Sequence, residues 1–189
     1  MASLSPSAPS LFGAIIIRLT CGPSTKRHNA IRDIIAKAFN AMGQGTKACT
    51  EPSVPGTNRR HDIRVTDGEA VGVTPRDYEI KVFGALTTTV WNQYQLTGQR
   101  PFPKNYNPLQ AALTRIEQNV LDRQARPAPG FRAPPLTALV FSSGGEVGHD
   151  TLNAFKSIRR HLKPSTFTFI TRLISFSLVR FRAASFSTS

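Results

Sequence analysis

The chain of 189 residues is long enough for one ordinary domain, and its 40% apolar residues can supply a core. The formal net charge of +13 favours a polyanionic partner, nucleic acid first and an anionic membrane second, because lysine and arginine neutralise phosphates. Charge that serves solubility alone is the alternative. Two cysteines without paired spacing exclude a disulfide framework and a cysteine zinc site, and we expect no transmembrane segment.

The first 26 residues are rich in serine and proline and predict a disordered leader. A secretory signal is not expected, because its basic start is missing and the apolar run from Leu11 to Ile17 is short and followed by Arg18. The lack of acidic residues before Asp33 is shared with organelle transit peptides, which is a minor alternative. The sequence therefore favours an intracellular protein that is not secreted, and a nuclear one if it acts on DNA.

An ordered domain is predicted over residues 27–162. It begins with a helix from Asn29 to Met42, in which apolar residues recur at helical spacing, and Gly43 is a natural end for that helix. A short strand follows around Ala48 to Glu51. Together these segments predict a helix that leads into a sheet.

Two further strands are predicted from the alternation of apolar and polar residues, one from His61 to Thr66 and one from Tyr78 to Phe83. Asp67-Gly68 is typical of a hairpin turn and would make the strands antiparallel neighbours. The positions predicted to face inward are Ile63, Val65, Tyr78, Ile80 and Val82.

The second half of the domain is predicted to contain a helix from Asn107 to Arg123, a buried strand from Leu136 to Phe141 and a last helix that ends near Leu162. Asp150 is placed to cap the start of that last helix. Residues 163–189 are predicted to form an irregular basic tail, with a basic surface-binding helix as the alternative. The predicted fold class is α/β.

Six of the eleven acidic residues lie between Glu51 and Glu79 in an otherwise basic chain. Side chains alternate along a strand, so Glu79 and Lys81 share a face. A hairpin would bring Asp62 from the neighbouring strand beside Glu79, which gives two hard oxygen ligands for Mg²⁺ with an ammonium group close by. These residue types suit phosphodiester hydrolysis, in which a metal activates water and the lysine orients that water or stabilises developing charge. Because the pairing of Glu79 with Lys81 is a short motif, the alternative is that these residues only form a solvated face of the strand.

The predicted order of helix, three strands, helix and strand resembles the core of PD-(D/E)xK nucleases. That resemblance implies a restriction-endonuclease-like core of αβββαβ order, with a small mixed sheet flanked by helices. The segments Arg27-His28-Asn29, Arg60-His61-Asp62-Ile63 and Leu139-Val140-Phe141-Ser142-Ser143-Gly144-Gly145 are similar to the nuclease-like domain that accompanies reverse transcriptases in retroelements, or retrotransposons. His61 stands where that family places a proline.

The resemblance implies cleavage of DNA that depends on Mg²⁺ or Mn²⁺, with Asp62 and Glu79 as metal ligands and Lys81 as the catalytic lysine. No small-molecule cofactor is expected. Two alternatives remain open: a catalytically inactive nucleic-acid-binding relic of the same fold, and a basic adaptor without chemistry.

Four arginines near the acidic cluster are the predicted nucleic-acid-binding residues, with phosphates as their ligands. They are Arg59, Arg60, Arg64 and Arg76. The alternative is that they only balance the acidity of the cluster. We expect His61 to lie in a loop or to contact phosphate.

Overall fold

The computed structural model describes residues 23–43, 45–66, 76–84, 107–123, 130 and 133–186. Within these residues the helices are α1 (Pro23–Ala41), α2 (Pro108–Asp122), α3 (His149–His161) and α4 (Pro164–Phe186). The strands are β1 (Lys47–Thr50), β2 (Ile63–Thr66), β3 (Arg76–Phe83) and β4 (Leu136–Ser142). The chain is therefore of the mixed α/β class, as the sequence predicts.

The four described strands form one sheet in the order β1-β2-β3-β4. β1 pairs with β2, and β2 with β3, in antiparallel register, whereas β3 and β4 are parallel. Ile63 is the partner of Tyr78, an arrangement that a hairpin between β2 and β3 would give. The predicted Asp67-Gly68 turn itself lies outside the described residues. The small mixed sheet with flanking helices is thus confirmed.

One face of the sheet packs against α1 and contains the larger hydrophobic cluster. Ile31 and Ile35 of α1 are fully buried, as the apolar spacing of that helix predicts. The Phe39 ring lies on Tyr78 with the ring centroids 4.9 Å apart. The inward positions predicted for β2 and β3 are all buried, namely Ile63, Val65, Tyr78, Ile80 and Val82.

The other face of the sheet packs against α2, where Leu113 and Val120 contact Ala138 and Val140 of β4. β4 forms one edge of the described sheet, yet its residues are almost all buried. The start of α3 covers this edge, because the Val140 N–H donates to the Thr151 hydroxyl at 2.7 Å. Such cover prevents pairing with another chain.

The N-terminus of α3 is capped by a side chain from α2 rather than by Asp150, so the predicted cap is wrong. Gly148 is the N-cap residue, and the Glu117 carboxylate accepts the Asp150 N–H at 3.0 Å. A β-carbon added at Gly148 would lie 1.9 Å from Glu117 Oε1, so a larger residue there would displace the capping carboxylate. Asp150 lies in the first helical turn, where its charge suits the helix dipole.

The predicted irregular tail is wrong over 164–186, because these residues form α4. Ile170, Ile174 and Leu178 are buried in the larger cluster. The predicted disordered leader also ends earlier than expected, since α1 begins at Pro23, and the rest of that leader lies outside the described residues. Among the described helices, α4 included, none has both the length and the apolar character needed to cross a membrane.

Candidate active site

Asp62 is held at the point where β2 leaves the sheet. Ile63, the first residue of β2, pairs with Tyr78, so the backbone of β3 beyond Tyr78 has no β2 partner. The Asp62 carboxylate replaces that partner, because its Oδ2 accepts the Ile80 N–H at 2.6 Å. The side chain of Asp62 is therefore fixed against β3 by a backbone hydrogen bond.

Glu79 and Lys81 lie on the same face of β3, as the alternation of the strand predicts. The Lys81 ammonium group donates to Glu79 Oε1 at 2.6 Å. The Glu79 side chain is 22% exposed and that of Lys81 is 43% exposed, so both reach solvent. A substrate could approach them without a rearrangement of the sheet.

The Asp62 carboxyl lies in a strongly unfavourable environment for its charged form. Burial, and next the negative charge of Glu79, raise its pKa to about 7. The Ile80 N–H and the charge of Lys81 oppose this rise without cancelling it. The structure thus brings the three predicted residues together, and the negative charge of Glu79 disfavours a second negative charge on Asp62.

His28 is a further residue of this site, which the sequence singled out only within the Arg27-His28-Asn29 segment. Its Nε2 lies 3.0 Å from Asp62 Oδ1 but makes no hydrogen bond within the described residues. Burial, followed by the charge of Lys81, lowers the pKa of His28, so its imidazole is neutral at pH 7. Helical spacing alone could not reveal this contact, because it depends on how α1 crosses the sheet.

The described residues contain no group of three or more His, Cys, Asp or Glu side chains arranged to hold a metal ion. Mg²⁺ is commonly held by only one or two carboxylates, with water and substrate phosphates as its other ligands. Asp62 and Glu79 form such a pair of hard oxygen donors. A divalent cation beside both groups would favour the charged form of Asp62, because it would offset the repulsion from Glu79.

His61 lies in the loop before β2, as expected, and both His61 and Arg64 contact Asp77. Arg64 donates to both carboxylate oxygens of Asp77, at 2.7 and 2.8 Å, and His61 Nδ1 lies 2.6 Å from Asp77 Oδ2. Asp77 and His61 are buried. Burial by itself would raise the pKa of Asp77, but hydrogen bonds from Arg64 and His61 hold it below its ordinary value. These contacts support the alternative in which Arg64 balances acidity.

The other three arginines differ in how far they are available to a ligand. Arg60 is the freest, since its side chain is 65% exposed and its ion pair with Glu51 is long, at 3.7 Å. Arg59 is exposed and donates to the backbone carbonyl that follows α2, at 2.7 Å. Arg76 is half-buried and donates to the Thr137 hydroxyl at 3.0 Å. Arg59 and Arg60 therefore form the better candidate contact for phosphate.

Comparison of this sequence with known protein families and with curated proteins found no match.

Proposed function

We propose that this chain is a DNA endonuclease-like domain of the restriction-endonuclease-like, PD-(D/E)xK type, derived from a retroelement and dependent on Mg²⁺ or Mn²⁺. Asp62 and Glu79 are the proposed metal ligands, and Lys81 is the proposed catalytic lysine. A protein that acts on chromosomal DNA would work in the nucleus. The proposal rests on the residues and their arrangement.

The observation that carries the proposal is the convergence of two carboxyl groups and one ammonium group at the open end of the β2 and β3 pairing. Asp62 is 15% exposed, burial and next the charge of Glu79 raise its pKa, and Lys81 binds Glu79 directly. A purely structural ion pair needs one acid for each base. The second acid is explained if a cation and a phosphodiester complete the site.

Each side chain has a distinct task in the proposed reaction. The Ile80 N–H fixes the Asp62 carboxylate, and Lys81 orients the Glu79 carboxylate. A bound Mg²⁺ supplies polarisation of the phosphoryl oxygen and a lower pKa for a water molecule. Lys81 is exposed enough to turn toward the substrate, where its ammonium group would orient the attacking water or stabilise charge on the phosphate. Arg59 and Arg60 would hold flanking phosphates.

Lys81→Ala is expected to lower the rate of plasmid nicking at least about 100-fold, since a positioned acid, base or charge commonly contributes that much. DNA affinity should change little, because Lys81 is one of many cations. The measurement is nicking of supercoiled plasmid by the full chain with Mg²⁺, with Mn²⁺ and with chelator, beside a DNA-binding assay. The matched control is Lys156→Ala, which removes an exposed lysine from α3.

The same assay separates this function from the alternatives. Wild-type protein that binds DNA but never cleaves it with either metal would be the inactive relic. Cleavage that persists in Lys81→Ala at the wild-type rate would place the chemistry elsewhere. Protein that neither binds nor cleaves DNA would support the third alternative, a basic adaptor without chemistry.

Replacing Arg59 and Arg60 together by alanine is expected to lower the slope of log affinity against log salt for duplex DNA by about 1 to 2 units, because each phosphate contact releases about one counterion. The control is the pair Arg159 and Arg160 on α3, which are also adjacent and exposed. An equal change in slope for both double variants would show that DNA binding is spread over the whole basic surface.

A further inference from the structure

Helix α4 has apolar residues on two different faces, and only one of them is used by the fold. Ile170, Ile174 and Leu178 are buried against the core. The second face contains four exposed apolar residues, which we call the apolar stripe of α4. They are Phe169, Leu173, Phe176 and Val179, exposed by 61%, 36%, 65% and 63%.

The apolar stripe of α4 lies on one side of the helix, and Arg172 and Arg180 lie on that same side. Phe169, Leu173 and Phe176 follow the spacing of four and then three residues that places side chains one above another on a helix. Val179 is one further turn along. Exposing two phenylalanine rings to water is unfavourable, and an exposed apolar patch commonly marks an interaction site.

The charge on α4 and on most of α3 before it is of one sign only. Residues 151–189 contain seven lysines and arginines and no acidic residue. Arg172 and Arg180 lie on α4 itself and are exposed. At the α3 end, Arg159 and Lys163 are also exposed. A partner must therefore combine negative charge with an apolar interior.

We propose that α4 docks along an anionic lipid surface, with the apolar stripe entering the boundary between headgroups and acyl chains. Phenylalanine and leucine on one side of a helix and arginine beside them are typical of helices that lie in a membrane interface. Arg172 and Arg180 would bind lipid phosphates or carboxylates. This proposal does not depend on the proposed nuclease function, since it uses none of the residues of that site.

Two other occupants fit the stripe less well. Symmetric pairing with a second copy would bring Arg172 and Arg180 against the same residues of the partner, with no acidic residue on either helix to balance them. A helical peptide is usually bound in a groove, whereas the stripe lies on the outer side of a single helix. A lipid surface is anionic and apolar beneath its headgroups, which are the two properties required of the partner, and it is an extended surface that the outer side of a helix can contact.

The test is co-sedimentation of the full chain, free of DNA, with vesicles of phosphatidylcholine alone or with added phosphatidylserine. We expect binding to the vesicles that contain phosphatidylserine, and little to phosphatidylcholine. Phe169→Ser with Phe176→Ser should lower the partition coefficient at least about tenfold, because binding scales with buried apolar area. Leu152→Ser is the matched control, since Leu152 is 44% exposed but lies on α3.

The paired substitution Arg172→Glu with Arg180→Glu should weaken binding by a similar factor, and added salt should weaken binding by the wild type. Circular dichroism on each variant checks that the helices remain. The proposal is overturned if anionic vesicles do not bind, or if serine at positions 169 and 176 leaves binding unchanged. It is also overturned if those serines instead convert a dimer into a monomer in solution, which would make a second copy the occupant.

Discussion

Replacing Asp77 by alanine is expected to lower the free energy of unfolding by about 3 to 5 kcal/mol, because removal of one partner leaves a charge of opposite sign without compensation in the interior. Asp77 is fully buried and accepts two hydrogen bonds from Arg64. The Arg64 side chain is only 20% exposed, so water would solvate its guanidinium group poorly once Asp77 is removed. Urea denaturation followed by circular dichroism measures the loss.

The control for this prediction is Asp122→Ala, which removes an exposed aspartate at the end of α2 whose side chain accepts a hydrogen bond from Gln118. The free energy of unfolding of Asp122→Ala should lie within about 0.5 kcal/mol of the wild-type value. A loss of less than about 1 kcal/mol in Asp77→Ala would contradict the structural role of the buried ion pair. It would also return Arg64 to the group of arginines available for phosphate.

Replacing Asp62 by asparagine is expected to stabilise the folded chain at about pH 8 and to abolish the proposed cleavage of DNA. The pKa of Asp62 is raised to about 7 by burial and by Glu79. The folded state therefore binds more protons than the unfolded state between about pH 4 and pH 7, and its stability falls as the pH rises through that window. By linkage, the raised pKa lowers the free energy of unfolding by up to about 4 kcal/mol above that window. Asp62→Asn would remove this loss of stability.

The measurement is the free energy of unfolding of both proteins between about pH 4 and pH 8. The advantage of Asp62→Asn should be largest at the alkaline end and should vanish at the acid end, since the wild-type carboxyl is then protonated. Asparagine can still accept the Ile80 N–H, so the fold is kept. A difference that is constant with pH would contradict the raised pKa.

Unfolding of both proteins can also be measured with added Mg²⁺, and this second measurement depends on the proposed function. Mg²⁺ should stabilise the wild type at about pH 8 by mass action, because a cation binds the folded carboxylate pair. Asp62→Asn should show little of this effect. An equal Mg²⁺ response in both proteins would place the ion away from Asp62, whatever the outcome of the plasmid assay.

Local periodicity was sufficient to predict most of the secondary structure. The spacing of Ile31 and Ile35 predicts the buried face of α1, and alternation in β2 and β3 predicts Ile63 and Ile80 as core residues. Such signals are local, because a helix or strand orients side chains in a fixed repeat whatever it packs against. The grouping of Glu79 with Lys81 has the same origin.

Helix α4 shows where periodicity is insufficient. It carries apolar residues on a buried face and on an exposed face, so its sequence pattern has no single apolar side. Packing against α1 and the core decides which face is buried, and that decision depends on the position of the rest of the chain. The sequence therefore predicted an irregular tail where the structure has a helix.

The sequence by itself determined the strand that carries Glu79 and Lys81, and the position of Asp62 beside a neighbouring strand. Only the tertiary structure decided which charges of this region are already neutralised. Arg64 and His61 are bound to Asp77, whereas Asp62 lies beside Glu79 and the neutral His28. The reason is physical: ion pairing and burial depend on distances of a few ångströms between residues far apart in the chain, and these distances are set by the packing of α1 on the sheet and by strand register.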